Sequence, residues 1–223
     1  MKINRLVLAS TSRFRRVLLE QSGIQVFGIA PQCDEEAIVG SDPWQTARLR
    51  ADAKALSVEM GAVHENSIVI AADQVLEFQG RAFGKAADED EARLRLREFS
   101  GQVHRLHSAF SLAFYEADHA EPKLLSSEVV TATLGMRTLA ADELEAYLRT
   151  REWEGCAGCY QYENKGAQLF DWVDGDHTTI IGLPVLALLK QLRKLGINTL
   201  TQPMGPWTCE TVDPARTLEL GQI

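Results

Sequence analysis

The stretch Leu6-Val-Leu-Ala-Ser-Thr-Ser-Arg-Phe-Arg-Arg-Val-Leu-Leu19 decides how the rest of the chain is read. A short apolar run breaks into hydroxyls and arginines before helical spacing begins, so it reads as strand, loop and helix. Ser10 and Ser12 fall where the helix would open, and there unpaired backbone N–H groups, two hydroxyls and the cations Arg13, Arg15 and Arg16 converge. Such a helix start can hold phosphate without a glycine-rich loop. Solvated helix arginines would look the same, so the neighbouring segments must discriminate.

Working outward, residues 13–21 place Phe14, Val17 and Leu18 on one helical face, with Gly23 as the stop signal. A second strand, residues 26–30, ends at Pro31 and runs into Asp34-Glu35-Glu36, whose carboxylates can face back towards the first loop. Asp42 reads as an N-cap with Pro43 at the first helical position. The spacing then predicts a buried face of Leu49, Ala53, Leu56 and Met60 up to Gly61, with Lys54 at its margin. Residues 67–76 form a strand apolar on both faces, as at the centre of a covered sheet, yet Asp73 lies within it. A charge there needs a partner or a chemical role.

Gln79-Gly80 should turn the chain back through residues 81–85, and a helix capped by Asp88 and stopped by Gly101 should bury Ala92, Leu96 and Phe99. Residues 103–115 and 129–137 read as an antiparallel pair separated by a polar loop, 116–123. A short helix follows from Asp142 to about Thr150, then a glycine-punctuated turn at 155–160, a strand at 168–173 and a turn at Gly175-Asp176. The helix 183–195 buries Val185, Leu188, Leu189 and Leu192 and stops at Gly196. The expected architecture is one α/β unit over residues 1–196, followed by a tail, 197–223, with three prolines and no periodicity.

Composition narrows the function. A chain of 223 residues with 45% hydrophobic content can fill a core, and a formal charge of −8 argues against a polynucleotide partner while allowing a small anion in a local basic pocket. No apolar run reaches the ~18 residues of a membrane span, and Met1-Lys-Ile-Asn-Arg5 leads into a strand rather than a signal peptide. A soluble cytoplasmic protein is therefore expected. Cysteines at 33, 156, 159 and 209 are too irregular for a disulfide framework.

Cation candidates Arg15, Lys54 and Lys85 and carboxylate candidates Glu35, Asp73 and Asp34 all fall at ends of neighbouring elements on one side of the inferred sheet. A nucleoside triphosphate bound with Mg²⁺ needs this mixture of phosphate-binding cations and acids for a hydrated metal. Other signals are weaker. His104 and His107 lie i, i+3 on a strand and so point to opposite faces. Cys156 and Cys159 lack the second ligand pair of a zinc site. Trp44, Trp153, Trp172 and Trp207 are scattered, and neither a P-loop nor G-x-G-x-x-G occurs.

Taken in order, Leu-Ala-Ser10-Thr-Ser12-Arg-Phe14-Arg15-Arg, Cys-Asp-Glu35, Ala-Lys54-Ala, Ala-Ala-Asp73-Gln74-Val, Phe-Gly-Lys85, Leu-Arg-Glu-Phe-Ser-Gly101, Ala-Gly158-Cys-Tyr and Ile-Gly-Leu-Pro184 resemble the Maf (septum formation inhibitor) family of nucleoside triphosphate pyrophosphatases. The resemblance spans roughly residues 4–196. It implies an elongated mixed sheet flanked by helices, related to the ITP pyrophosphatases, with two lobes around a central cleft. A divalent metal cation (Mg²⁺, Mn²⁺ or Co²⁺) and a homodimer are also implied, with neither nucleic acid nor membrane as partner.

Carried over by position, Ser10, Ser12 and Arg15 would hold the phosphates with Lys54 and Lys85, while Glu35 and Asp73 would bind metal and activate water, Asp73 as proton acceptor. Water would attack the α-phosphorus, releasing a nucleoside monophosphate and pyrophosphate. Phe14, Gln74 and Glu163 match positions that set base preference. The dTTP/UTP branch has arginine and glutamine where this chain has Phe14 and Glu163, which resemble the 7-methyl-GTP branch instead. Guanine would present N1–H and its 2-amino group to Glu163, and a cationic methylated purine would stack on Phe14. Phe14 could equally be a core residue on the first helix. Arg13 and Asn164 depart from the family's usual proline and glycine. A nucleotide sensor acting on cell division without turnover is the alternative that the family's name suggests.

Overall fold

The computed structural model of the chain describes residues 3–59, 66–116 and 121–201. Its organising element is β3 (Ser67–Phe78), in which every residue except Gln74 and Glu77 is buried. Such a strand needs cover on both faces and pairing on both edges. On one edge β5 (Val103–Tyr115) runs antiparallel to it from Ser67 to Glu77. On the other, β1 (Arg5–Ala9) runs parallel from Ser67 to Ala71, and β4 (Arg81–Phe83) antiparallel from Leu76 to Phe78. Between Ala71 and Leu76 no strand pairs with that second edge, so the sheet has a notch beside Asp73.

Beyond these strands, β2 (Phe27–Ile29) pairs parallel with β1, β6 (Lys123–Met136) pairs with β5, and β7 (Phe170–Asp174) with β6. The result is one mixed seven-stranded sheet, ordered β2-β1-β3-β5-β6-β7 with β4 on β3. Gln79 and Gly80 both adopt positive φ, 51° and 74°, as the tight β3–β4 hairpin requires. β6 begins at Lys123 rather than at 129, because Leu124 to Glu128 continue the ladder along β5. Residues 117–120 of the expected loop lie outside the described residues.

Two apolar clusters share one face of the long strands. Towards one end Ile68, Ile70, Phe110 and Leu112 pack with Leu18 and Leu19 of α1 (Arg13–Gln21) and with Leu188 and Leu192 of α6 (Val185–Lys194). Towards the other, Leu76, Leu106, Leu134 and Met136 pack with Leu96 and Phe99 of α3 (Glu89–Phe99) and Leu144 and Leu148 of α4 (Ala141–Leu148). Gln74 stands between the clusters on that face. The expected α/β architecture with two lobes around a cleft is therefore present, and one sheet runs through both lobes.

The opposite face is covered by α2 (Pro43–Leu56), capped as expected by Asp42, whose side chain accepts from the Gln45 N–H at 2.7 Å. Its buried face corrects the expectation. Ala47, Ala51, Lys54 and Ala55 face the sheet, whereas Leu49 and Leu56 are exposed. The alanines let the helix lie close on Val75, Ala109, Val69 and Ala71, which bulky leucines would prevent. Lys54 consequently lies in the interior, 6% exposed, not at a margin. Met60 and Gly61 lie outside the described residues.

Three further differences are local. Val17 of α1 is exposed, the helix burying Leu18 and Leu19 instead. α4 starts at Ala141, one residue before the expected Asp142, and its first turn is bonded back through Glu143 to the Ala140 N–H. Directly after the expected turn at Gly175-Asp176 comes a short helix that the sequence reading did not foresee, α5 (His177–Ile181): Asp176 accepts from the Thr178 and Thr179 N–H groups, and Gly182 ends it at φ 118°. Among the described residues no helix is long and apolar enough to cross a membrane.

Candidate active site

The notch residues Asp73 and Gln74 line a cavity of about 430 Å³. β1 stops at Ala9, and the following loop turns into the N-terminus of α1 at the carboxyl end of parallel β1, where open α/β sheets place ligands. The Ser12 side chain makes no capping bond to that helix. Ser10 Oγ instead accepts from the Ser12 N–H at 3.1 Å and from Arg15 Nη1 at 3.4 Å, while Arg15 Nε donates to the Gly182 carbonyl at 3.0 Å. Arg15 is thus held between its own loop and the end of α5. Burial pulls its guanidinium below the ordinary value, opposed by the charges of Asp73 and Glu35.

Lys54 enters from α2 and donates to Asp73 Oδ1 at 2.7 Å, and it also pairs with Glu35. Two carboxylates and one ammonium leave this cluster net negative before the surrounding cations are counted. Asp73 is 6% exposed, and among the described residues no group bonds its Oδ2. Burial alone would push the Glu35 carboxyl up; the hydrogen bond and charge of Lys54, with the charges of Lys85 and Arg15, together hold it below the usual carboxylate range. Lys85, just beyond β4, is exposed and lines the same cavity.

Gln74 points to the other face of β3. Its Nε2 donates to Ser108 Oγ at 2.8 Å and to the Thr179 and Ile180 carbonyls at 3.0 Å each. Three acceptors fix the amide's orientation and join β3 to α5. Glu163 lies on the turn after the 155–160 segment, where burial raises its carboxyl, offset in part by its own backbone N–H and by His177. Phe14 is half-buried, lines the cavity, and belongs to none of the apolar clusters.

Ser10, Ser12, Phe14, Arg15, Glu35, Lys54, Asp73, Gln74, Lys85 and Glu163 therefore all line one cavity, although the chain separates the first from the last by more than 150 positions. Asp34 is not among the lining residues; its Oδ1 accepts from the Ala37 N–H at 3.4 Å and shapes the acidic turn. His104 and His107 point apart, the first bonding Tyr160 Oη at 2.7 Å and the second Glu77 at 2.7 Å and Thr131 at 2.9 Å. Burial, with neighbouring Glu163 and Cys159, pushes the Cys156 thiol up to about 12, which leaves it a poor metal ligand or nucleophile.

Arg50 and Tyr162 are polar lining residues that escaped the sequence reading. Arg50 stands one helical turn before Lys54, a spacing that places both on one face, and its Nε donates to the Ile38 carbonyl at 3.0 Å. Tyr162 directly precedes Glu163. Its position beside a candidate base-reading acid was the available signal.

Among the described residues no group of three or more His, Cys, Asp or Glu side chains gathers as a metal cage. Two hard carboxylates, one with a buried oxygen that no protein group bonds, do fit a hydrated divalent cation that completes its shell with water and substrate oxygens.

A seven-stranded sheet interrupted beside the buried Lys54–Asp73 pair and the half-buried Glu35, with Arg15 and the start of α1 lining the same cavity, has the cations and N–H donors that suit a phosphorylated ligand. Residues 5–195 match the family described as Maf-like protein, and the chain belongs to that family. A nucleoside triphosphate pyrophosphatase of Rhodopseudomonas palustris (strain BisB5) is 40% identical over 87% of this chain and 96% of its own length. A 7-methyl-GTP pyrophosphatase of Idiomarina loihiensis is 34% identical over 88% and 98%, and one of Brucella suis biovar 1 is 38% identical over 85% and 96%.

Proposed function

We propose that the protein is a metal-dependent nucleoside triphosphate pyrophosphatase that cleaves between the α- and β-phosphates and prefers 7-methyl-GTP. The observation that carries this reading is the Lys54–Glu35–Asp73 cluster, with Asp73 Oδ2 buried and bonded by no group among the described residues, in a cavity also lined by Arg15 and Lys85.

A bound divalent cation, held by Glu35 and Asp73, would neutralise charge on the triphosphate oxygens and the departing pyrophosphate. The protein's own groups do the rest. Arg15, Lys85 and the open N-terminus of α1 bind and align the phosphates, with the hydroxyls of Ser10 and Ser12 as further contacts. Lys54 holds Asp73 through Oδ1, which fixes the carboxylate's orientation towards the attacking water whose proton it accepts. The water oxygen bonds to the α-phosphorus, the bond from that phosphorus to the α–β bridging oxygen breaks, and the electron pair leaves with pyrophosphate. Phe14 and Glu163 favour a methylated guanine, and the names of two relatives support that choice.

Purified protein with Mg²⁺ or Mn²⁺ should release pyrophosphate and a nucleoside monophosphate, fastest from 7-methyl-GTP. Orthophosphate as the only product would overturn the reaction, and faster turnover of dTTP or UTP would overturn the substrate. Asp73→Asn should lower turnover roughly 100- to 10,000-fold in a protein that still folds, as expected for a lost general base. Retained activity would remove Asp73 from the mechanism. Tight triphosphate binding without any product would favour a nucleotide sensor instead.

A further inference from the structure

The reaction above uses the ionised part of the cavity, but the lining at the base end is aromatic and apolar. Tyr162 lines it immediately before Glu163, and its ring is tilted against Phe170 and His177 at centroid distances of 5.8 and 5.6 Å. Those neighbours fix the ring's attitude without burying it, for Tyr162 keeps intermediate exposure. Phe14 reaches the same cavity from the first turn of α1.

The short helix α5 connects the two. Its first residue, His177, contacts Tyr162, and its closing glycine, Gly182, accepts from Arg15, the residue after Phe14. Ile180 and Ile181 of α5 line the cavity between these ends. An aromatic ring therefore contacts the first residue of α5, a second belongs to the residue preceding the one bonded to its closing glycine, and an acid follows the first ring in the chain; all three line the one cavity. That combination suits a flat, positively charged base. Ring faces attract the cation, isoleucines exclude water, and Glu163 accepts from N1–H and the 2-amino group.

We propose that Tyr162 is a specificity-determining residue that stacks on the substrate's purine together with Phe14 and sets the preference for an N7-methylated, cationic base over the neutral one. This rests on the 7-methyl-GTP reading and names a contact that the reading itself does not require. A base stacked on an aromatic ring binds roughly 10- to 100-fold more weakly once that ring is truncated to alanine, and every aromatic side chain offers a comparable π-face.

The test compares Tyr162→Phe, Tyr162→Leu and Tyr162→Ala in two assays. In the first, kcat/KM for 7-methyl-GTP and for GTP is measured with Mg²⁺. Leucine and alanine should lower the 7-methyl-GTP value roughly 10- to 100-fold, mainly through KM, and should lower the 7-methyl-GTP to GTP ratio; phenylalanine should keep that ratio within about threefold. In the second, binding of 7-methyl-GMP and GMP without metal is followed by calorimetry, and the same order should appear. Leucine keeps apolar bulk against Phe170 and His177, so a ratio lost in leucine but kept in phenylalanine separates stacking from mere support of the turn. An unchanged ratio in all three variants would overturn the proposal, as would a wild-type protein that binds 7-methyl-GMP no better than GMP. If no triphosphate yields pyrophosphate, the proposed reaction fails, and the metal-free binding series still decides the role of Tyr162.

Discussion

His104 shows how far one buried side chain can set the response to acid. It is 1% exposed, packed against the rings of Phe99, Tyr160 and Phe170, with Nε2 bonded to Tyr160 Oη and no protein group on Nδ1. Burial lowers its pKa from 6.5 to about 4. The unfolded chain therefore binds a proton between pH 6.5 and 4 that the folded chain refuses, so stability present above pH 6.5 falls as the pH drops through this window, by about 3 kcal/mol in all. His104→Leu should flatten that acid limb in melting temperature measured from pH 7 to 4. At pH 7 it should cost about 1–3 kcal/mol because Tyr160 Oη loses its partner. An acid limb of unchanged slope would show that other groups carry it. The same scale separates what the sequence could say from what it could not. The i, i+3 spacing on a strand predicts that His104 and His107 cannot chelate together. Nothing in their spacing reveals the Tyr160 partner, 56 positions away.

At the scale of elements, caps and turns were legible because they are local. Asp42, Asp88, Gln79-Gly80 and Gly101 do as their chemistry predicts. The buried face of α2 was not, because apolar spacing ranks residues by size whereas close helix–sheet packing selects small ones, and Lys54 enters the interior only because Glu35 and Asp73 await it. The helix also carries a device that only the structure reveals. Arg50 Nε holds the Ile38 carbonyl at 3.0 Å and Nη2 lies 3.7 Å from Glu36 Oε2, so the guanidinium ties the acidic turn bearing Glu35 to α2 one turn before Lys54. Glu36 is largely exposed, so the anchor is the carbonyl bond rather than the ion pair. Arg50→Ala should lower kcat/KM for pyrophosphate release roughly 10- to 100-fold through misplacement of Glu35, while costing about 1–2 kcal/mol of stability. Arg50→Lys should recover part of the activity. Wild-type kcat/KM in the alanine variant would show that the turn holds Glu35 unaided.

For the whole molecule, the site depends on the route of β3 through both lobes. Asp73 faces α2 on one side of the sheet, Gln74 faces α5 on the other, and both lie where β1 has ended and β4 has not begun. The two-sided apolar run of 67–76 predicts a central strand, but the notch depends on how far β1 and β4 extend, which is a tertiary fact. Because β3, β5 and β6 contribute to the apolar clusters of both lobes, neither lobe has a sheet of its own to retain when the other melts. Thermal unfolding should therefore be a single transition, with calorimetric and van't Hoff enthalpies equal. Ligand should shift it as a unit. 7-Methyl-GMP at 100 times its dissociation constant contributes about 2.7 kcal/mol, which for a domain of this size raises the melting temperature by roughly 5–10 °C. Scanning calorimetry with and without the nucleotide checks both statements. Two resolved transitions, only one of them moving with ligand, would mean that the lobes unfold independently and that the cavity is completed by docking rather than by the shared strands.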